Sequence, residues 1–114
     1  MWGSIEREPE VARWFDSLSA EHAGHVAFYI DLLEEHGIGL HMPYARPLDG
    51  KLYELRFDLA DKRMRISYWI ASGRRIILLT VFRKTKMNER DEVDRARRAM
   101  RKCQNQRHEV ADHD

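Results

Sequence analysis

The chain has 114 residues, of which 43% are hydrophobic and 34% are charged, and its formal net charge is +1. This length suits one domain, residues 1–114, with a core just large enough to fold alone, and it leaves no room for a second domain. No stretch reaches the roughly 20 apolar residues of a membrane span, and the acidic N-terminus is unlike a signal peptide, so we expect a cytoplasmic protein with no membrane partner. The single cysteine, Cys103, rules out an internal disulfide.

The small net charge hides a strong asymmetry between the two parts of the chain. Residues 1–49 hold three basic and nine acidic residues, a net charge of −6, whereas residues 50–114 hold seventeen basic and ten acidic residues, a net charge of +7. The excess is concentrated in residues 51–87, where ten Lys or Arg stand against three acids. Such a distribution indicates an anionic partner, for example a nucleic acid.

The first part of the chain predicts a helical hairpin. Acidic residues on both sides of Pro9 suit the first turn of a helix, and apolar residues follow with helical spacing at positions 11, 14, 15 and 18. A second helix is predicted from about residue 21 to 36, with an apolar stripe at positions 26, 29, 30 and 33 and Gly37 at its end. Glycines and prolines then predict a connecting loop over residues 37–50.

The second part predicts an antiparallel β-sheet on which the hairpin packs, which is an α+β fold. Apolar and polar residues alternate over 53–58 and over 63–70, so each of these strands has a core face and a polar face. The run 76–82 is apolar on both faces, which is typical of a central strand. A short C-terminal helix is predicted from Asn88 to Lys102 as a solvated lid or a partner surface, with a narrow apolar stripe at positions 93, 96, 100 and 103. A flexible tail is predicted over about 104–114.

The polar face of this sheet carries residues suited to cleaving RNA without a metal. That reaction needs a proton acceptor for the 2′-hydroxyl, cations around the phosphate and a proton donor for the leaving oxygen. Arg56 and Arg65 occupy corresponding faces of adjacent strands, so a phosphate can bind between guanidinium groups. The predicted catalytic residues are Glu54, Arg56, Arg65, Arg83 and Lys84, and the predicted RNA-binding residues are Lys51, Arg63, Trp69, Arg74, Arg75 and Lys86.

Several of these residues admit a second interpretation. Glu54 is either the base or a partner of the neighbouring arginines on a solvated face. Trp69 either stacks on a nucleobase or is covered by a helix. His22 and His25 have a spacing compatible with metal binding, but no second cluster joins them, so we predict neither a metal nor another cofactor.

The order of elements and motifs along the chain resembles the RelE/ParE toxin superfamily, in particular its HigB-like, phage-derived branch. Two helices are followed by the strand motifs K-L-Y-E-L-R, R-I-S-Y and I-I-L-L-T-V-F-R-K-T-K and then by a charged helix that ends in R-A-R-R-A-M. The resemblance covers about residues 9–101. It implies a small α/β toxin of a type II toxin–antitoxin pair that enters the ribosomal A site and cleaves mRNA. It also implies a cognate antitoxin, usually a helix-turn-helix DNA-binding protein.

The resemblance carries over to particular positions. Arg65 matches the arginine regarded as a phosphate ligand in the superfamily, Arg56 ends the first strand motif, and Glu54 matches the acid of the L-x-E-L-R motif. Arg83, Lys84 and Lys86 match the basic cluster after the third strand. Several active members have Tyr or His near the start of the last helix, and residues 88–94 contain neither. Two alternatives therefore stay open: a ParE-like inhibitor of DNA gyrase, and a non-catalytic remnant that serves as antitoxin partner and co-repressor.

Overall fold

The computed structural model describes residues 1–106. The elements in chain order are β1 (Ser4–Arg7), α1 (Pro9–Asp16), α2 (Ala20–His36), β2 (Ala45–Asp49), β3 (Leu52–Leu59), β4 (Lys62–Ala71), β5 (Arg75–Arg83) and α3 (Glu89–Gln106). The last helix therefore continues through residues 104–106, which we predicted to be part of a flexible tail; the remainder of that prediction lies outside the described residues. Across residues 1–106, no helix combines the length and the apolar character that crossing a bilayer requires.

The five strands form one sheet in the order β1-β5-β4-β3-β2. Neighbours from β5 to β2 are antiparallel, whereas β1 runs parallel to β5. The predicted α+β class and the helical hairpin on a sheet are confirmed, but the sheet is mixed and gains two edge strands, and α3 is not short. The sequence does not predict β1, because four residues are too few to show an alternating pattern. It predicts a loop in place of β2, because that strand contains Pro47 and a register shift after it.

The hairpin covers one face of the sheet. Pro9 lies in the first turn of α1, and the Ser19 side chain accepts a hydrogen bond of 3.1 Å from the His22 N–H, which caps α2. The apolar side chains of the two helices then meet those of the central strands, as helical and strand periods require. The fully buried members of this core include Val11, Val26, Leu33, Leu55, Ile66, Ile76 and Leu78.

Helix α3 covers the opposite face. Its buried residues Ala96 and Cys103 belong to the predicted apolar stripe, and they pack over Trp69, Ile77 and Leu79. The helix therefore encloses part of the face that we expected to be solvated. The polar side chains buried on this face of the sheet are Glu54, Arg65, Ser67 and Thr80.

The outer side of β5 is only partly covered by β1, whose register ends at the pair Arg7 and Leu78. Farther along β5, the Val81 N–H donates to Glu10 Oε2 at 2.9 Å, and Arg95 Nη2 donates to the Val81 carbonyl at 3.1 Å. Arg95 Nη1 also donates to Glu10 Oε1 at 2.5 Å. A residue of α1 and a residue of α3 thus satisfy both backbone groups of Val81.

Candidate active site

Glu54 is the centre of a group of charged side chains on the α3 side of the sheet. Its side chain lies in the middle of the register, opposite Arg46 of β2 and Ser67 of β4, and it is 1% exposed. Its Oε2 accepts hydrogen bonds of 2.6 Å from Arg46 Nε and 2.9 Å from Arg56 Nη1, and it lies 3.8 Å from Arg65 Nε. The pairing with arginines that we considered in the sequence is present, but it is buried rather than solvated.

Arg65 is an unusual member of this group because it is a cation that is only 4% exposed. Its Nη1 donates to the Met64 carbonyl at 2.8 Å, while its buried Nε finds no hydrogen-bond acceptor within residues 1–106. Burial, and then the charge of Arg56, lowers the pKa of Arg65. A buried guanidinium with an open donor is incompletely compensated, so an anion that reaches it is stabilised.

A second carboxylate, Glu89 at the start of α3, ties this helix to the group. Its Oε1 accepts a hydrogen bond of 2.7 Å from Arg46 Nη2 and lies 3.5 Å from Lys84 Nζ. The hydrogen bond to Glu54, which outweighs the cost of burial, raises the pKa of Arg46. Sequence reasoning missed Arg46, because β2 was read as loop and an arginine before a proline carries no strand signal.

An open cleft of about 460 Å³ lies beside this group. One wall is cationic, and the other is aromatic and belongs to α2 and to the loop that precedes β2. The cationic wall consists of Arg56, Arg63, Arg65 and Lys84, with Asp58 among them, and we define the aromatic wall as His25, Tyr29 and Tyr44. The sequence suggested only metal binding for His25 and only a place in the apolar stripe of α2 for Tyr29, and it gave no role to Tyr44. These residues become neighbours of the arginines only through the fold.

The predicted site residues separate into two groups. Arg56, Arg63, Arg65 and Lys84 line the cleft, and Arg83 and Lys86 line an adjoining cavity that shares Arg63 and Lys84. Lys51, Arg74 and Arg75 lie at the opposite end of the sheet, where Arg75 pairs with Ala71 of β4. Six residues of extended strand separate Ala71 from Arg65, a distance of roughly 20 Å. These three residues therefore do not line the cleft, and a role for them in RNA binding stays a prediction.

Trp69 is removed from the predicted RNA-binding residues. Its side chain is 1% exposed beneath α3, so the ring has no face open to a nucleobase. The helical cover considered as the alternative is the arrangement observed. Within residues 1–106 there is no group of three or more His, Cys, Asp or Glu side chains that could hold a metal ion.

Solved structures with the same fold are RelE proteins. The chain is similar to the toxin RelE of E. coli, an arginine double mutant in the free state (12% identity, 90% of this chain, 98% of that chain, TM-score 0.62). It is also similar to RelE–RelB of Pyrococcus horikoshii OT3 (18%, 75% of this chain, 99% of that chain, TM-score 0.57) and to the toxin–antitoxin complex RelBE2 of Mycobacterium tuberculosis (13%, 74% of this chain, 100% of that chain, TM-score 0.55). At these identities the likeness establishes a RelE-like fold.

Sequence comparisons give the family. Comparison with curated proteins found no match. The model of the family described as phage derived protein Gp49-like (DUF891) matches residues 13–101. This match and the fold confirm the predicted resemblance to the RelE-like superfamily, whereas the HigB-like branch stays a prediction. The chain therefore belongs to the phage-derived Gp49-like family and has a RelE-like fold.

Proposed function

We propose that the chain is the toxin of a type II toxin–antitoxin system and cleaves mRNA on the ribosome. The observation that carries this proposal is the convergence of Arg56, Arg65 and Lys84 on one open cleft beside the buried Glu54. Cleavage joins the 2′-oxygen to phosphorus and breaks the bond to the 5′-oxygen, while one proton leaves the 2′-hydroxyl and one is added to the leaving oxygen. Negative charge grows on the phosphate in the transition state, and fixed cations stabilise it there.

Glu54 has a positioning role in this proposal rather than the role of base. The carboxylate is 1% exposed, and its Oε2 faces three guanidinium groups, two of them within hydrogen-bond distance. The charge of the carboxylate holds the guanidinium groups in fixed positions, and side chains that support a site in this way keep its geometry precise. Arg46 has the same function from β2, because it joins Glu54 to Glu89 of α3.

His25 is the side chain that we assign to proton transfer. Its Nε2 lies 2.9 Å from the Asp58 carbonyl, which can only accept a hydrogen bond, so Nε2 carries a proton. In the neutral ring Nδ1 is then the proton acceptor. His25 lines the same cleft as Arg56 and Arg65 and takes the place of the Tyr or His that the last helix lacks.

The partners that we propose are a cognate helix-turn-helix antitoxin, the ribosome and mRNA. Support for an antitoxin comes from the names of two structural neighbours, which are toxin–antitoxin complexes. Support for an anionic target comes from the basic surface beyond the cleft. The exposed basic residues of α3 are Arg90, Arg98, Arg101 and Lys102.

Induced expression tests the proposed function. We expect growth arrest through a block of translation, with cleavage of mRNA on ribosomes, and loss of arrest in Lys84→Ala and Arg56→Ala. Arg74→Ala is the matched control, because Arg74 is an exposed arginine at the other end of the sheet. Arrest of replication without mRNA cleavage would support the gyrase alternative, and absence of any arrest would support the non-catalytic partner.

A further inference from the structure

The aromatic wall of the cleft is rigid on its inner side. Tyr29 stacks on Phe57, a residue of the core, with 5.4 Å between ring centroids and 19° between ring planes. His25 meets Tyr29 edge-on at 5.4 Å, and Tyr44 lies 6.4 Å from Tyr29 with a tilt of 42°. The three rings are thus one assembly that is anchored through Phe57.

Tyr44 presents the outermost ring of this assembly. Its side chain is 40% exposed, although its backbone is fixed on both sides. The Tyr44 N–H donates to the His41 carbonyl at 3.0 Å, and the Arg56 N–H donates to the Tyr44 carbonyl at 2.8 Å. The second bond places the backbone of Tyr44 beside the backbone of Arg56, whose side chain belongs to the cationic wall.

A fixed aromatic ring facing cations suits one class of ligand, an unpaired nucleotide. Proteins that bind single-stranded nucleic acids combine cations along the backbone with aromatic rings on which bases stack. The cleft volume of about 460 Å³ falls within the ~300–1,000 Å³ typical of small-molecule sites. The Arg63 guanidinium has no hydrogen bond or ion pair to any other residue of the described range, so it is available to a phosphate.

We propose that Tyr44, supported by Tyr29, is a stacking platform for one unpaired base of single-stranded RNA, with the adjacent phosphate bound by Arg56, Arg63 and Lys84. This inference rests on the proposed function, and it assigns the aromatic wall to one base of the RNA substrate. Stacking on Tyr44 places the base outside the helical stack of its neighbours and fixes the ribose beside the cations. Because every base has a π face, this contact tolerates different sequences.

Equilibrium binding of a labelled, single-stranded oligonucleotide tests the platform. The probe is 2′-O-methylated so that it is not cleaved, and a matched set carries one abasic site at each position in turn. At low salt, we expect the wild type to bind the intact probe about 5–100-fold more tightly than the counterpart that is abasic at the stacked position. Tyr44→Ala should lose this difference and Tyr44→Phe should keep it. Ile38→Ala is the control, because Ile38 is an exposed apolar residue that lies outside the cleft and lines a different cavity.

The outcomes separate this inference from the proposed function. Equal affinity of the wild type for all probes, no detectable binding of the intact probe, or retention of the difference by Tyr44→Ala would each overturn the platform. The first two comparisons use the wild type alone and do not depend on the folding of a variant. Translation arrest that is lost in Lys84→Ala would still support the proposed function after such a result, whereas absence of arrest in the wild type would reject that function as well.

Discussion

Arg46 and Glu54 lie directly opposite each other on neighbouring strands, and the Arg46 Nε donates to Glu54 Oε2 at 2.6 Å. Through this pair, the edge strand β2 is connected to the arginines of β3 and β4 and, by way of Glu89, to the start of α3. Two cations of the cleft, Arg56 and Arg65, are therefore positioned by one buried carboxylate. We therefore expect substitutions of Glu54 to lower the free energy of unfolding, and to affect RNA cleavage mainly through the displaced arginines.

Glu54→Gln is expected to lower the free energy of unfolding by about 3–5 kcal/mol, because the arginines around it lose the charge that compensates their burial. Urea denaturation measures this loss. Asp58→Asn is the control, since Asp58 lines the same cleft but is exposed and should change stability by less than about 0.5 kcal/mol. Unchanged stability together with lost mRNA cleavage would contradict the positioning role and return Glu54 to the role of base.

Arg65→Lys is expected to abolish growth arrest while the protein stays folded. Lysine keeps the positive charge but cannot reproduce the planar fork of donors that faces the cleft. Because Arg65 is buried, an alanine at this position would also disturb the packing, so lysine is the better probe. Arg63→Lys, at an exposed position of the same wall, should keep most of the activity. Full toxicity of the Arg65 variant would remove this residue from the phosphate site.

His25→Gln is expected to slow single-turnover cleavage of mRNA on ribosomes by about 10²–10⁴-fold, as the loss of a general base or acid does. His22→Gln, three residues earlier on α2 and outside the cleft, should leave the rate unchanged. A cleavage rate equal to that of the wild type would exclude His25 from proton transfer.

The Glu10–Arg95 pair is expected to contribute about 1 kcal/mol of coupling energy in a double-mutant cycle with Glu10→Gln and Arg95→Met. The value is at the lower end for charge-assisted hydrogen bonds, because the two side chains are 35% and 37% exposed and solvent screens them. Chemical denaturation of the two single variants and the double variant measures it. If the losses of unfolding free energy in the two single variants simply add in the double variant, each side chain stabilises the protein only through its own hydrogen bond to the backbone of Val81.

Tyr68→Phe is expected to flatten the loss of stability at alkaline pH. Burial, and then Tyr53, raises the pKa of Tyr68 above that of an unfolded tyrosine, about 10. Its contribution is thus complete below about pH 10 and is lost as the pH rises further, with a slope of up to about 1.4 kcal/mol per pH unit. Urea denaturation at about pH 9 and about pH 11 should show a smaller difference for the variant than for the wild type. Equal differences would contradict burial of an un-ionised phenol.

The sequence reveals those parts of the fold that have a regular period. Helices α1 and α2 and strands β3 and β4 follow from the spacing of their apolar residues, whereas β5 follows from a continuous apolar run. The alternation in β3 correctly places Glu54 and Arg56 on one face. The spacing also predicts the narrow apolar stripe of α3, but helical cover of Trp69 was only one of two alternatives, because a stripe does not show which surface it meets. Burial of Glu54 and Arg65 follows from that packing.

The cleft could be predicted only in part, for a related reason. Its arginines belong to adjacent strands, so register brings them together. Arg46, His25 and Tyr44 come from three other segments, and nothing in their local sequence relates them to Arg56. Contacts between distant segments depend on the complete path of the chain. Here that path includes the edge strand β2, which is hard to recognise in the sequence because it contains a proline.

The pair of side chains at Val81 protects the sheet from self-association. A strand with unpaired N–H and C=O groups invites a strand from another molecule, and natural sheets counter this with charges or cover at their edges. Beyond Leu78, Glu10 and Arg95 occupy the donor and the acceptor that an incoming strand would need. A second copy could extend the sheet here only by breaking their ion pair, so α1 and α3 together block an otherwise open route to aggregation.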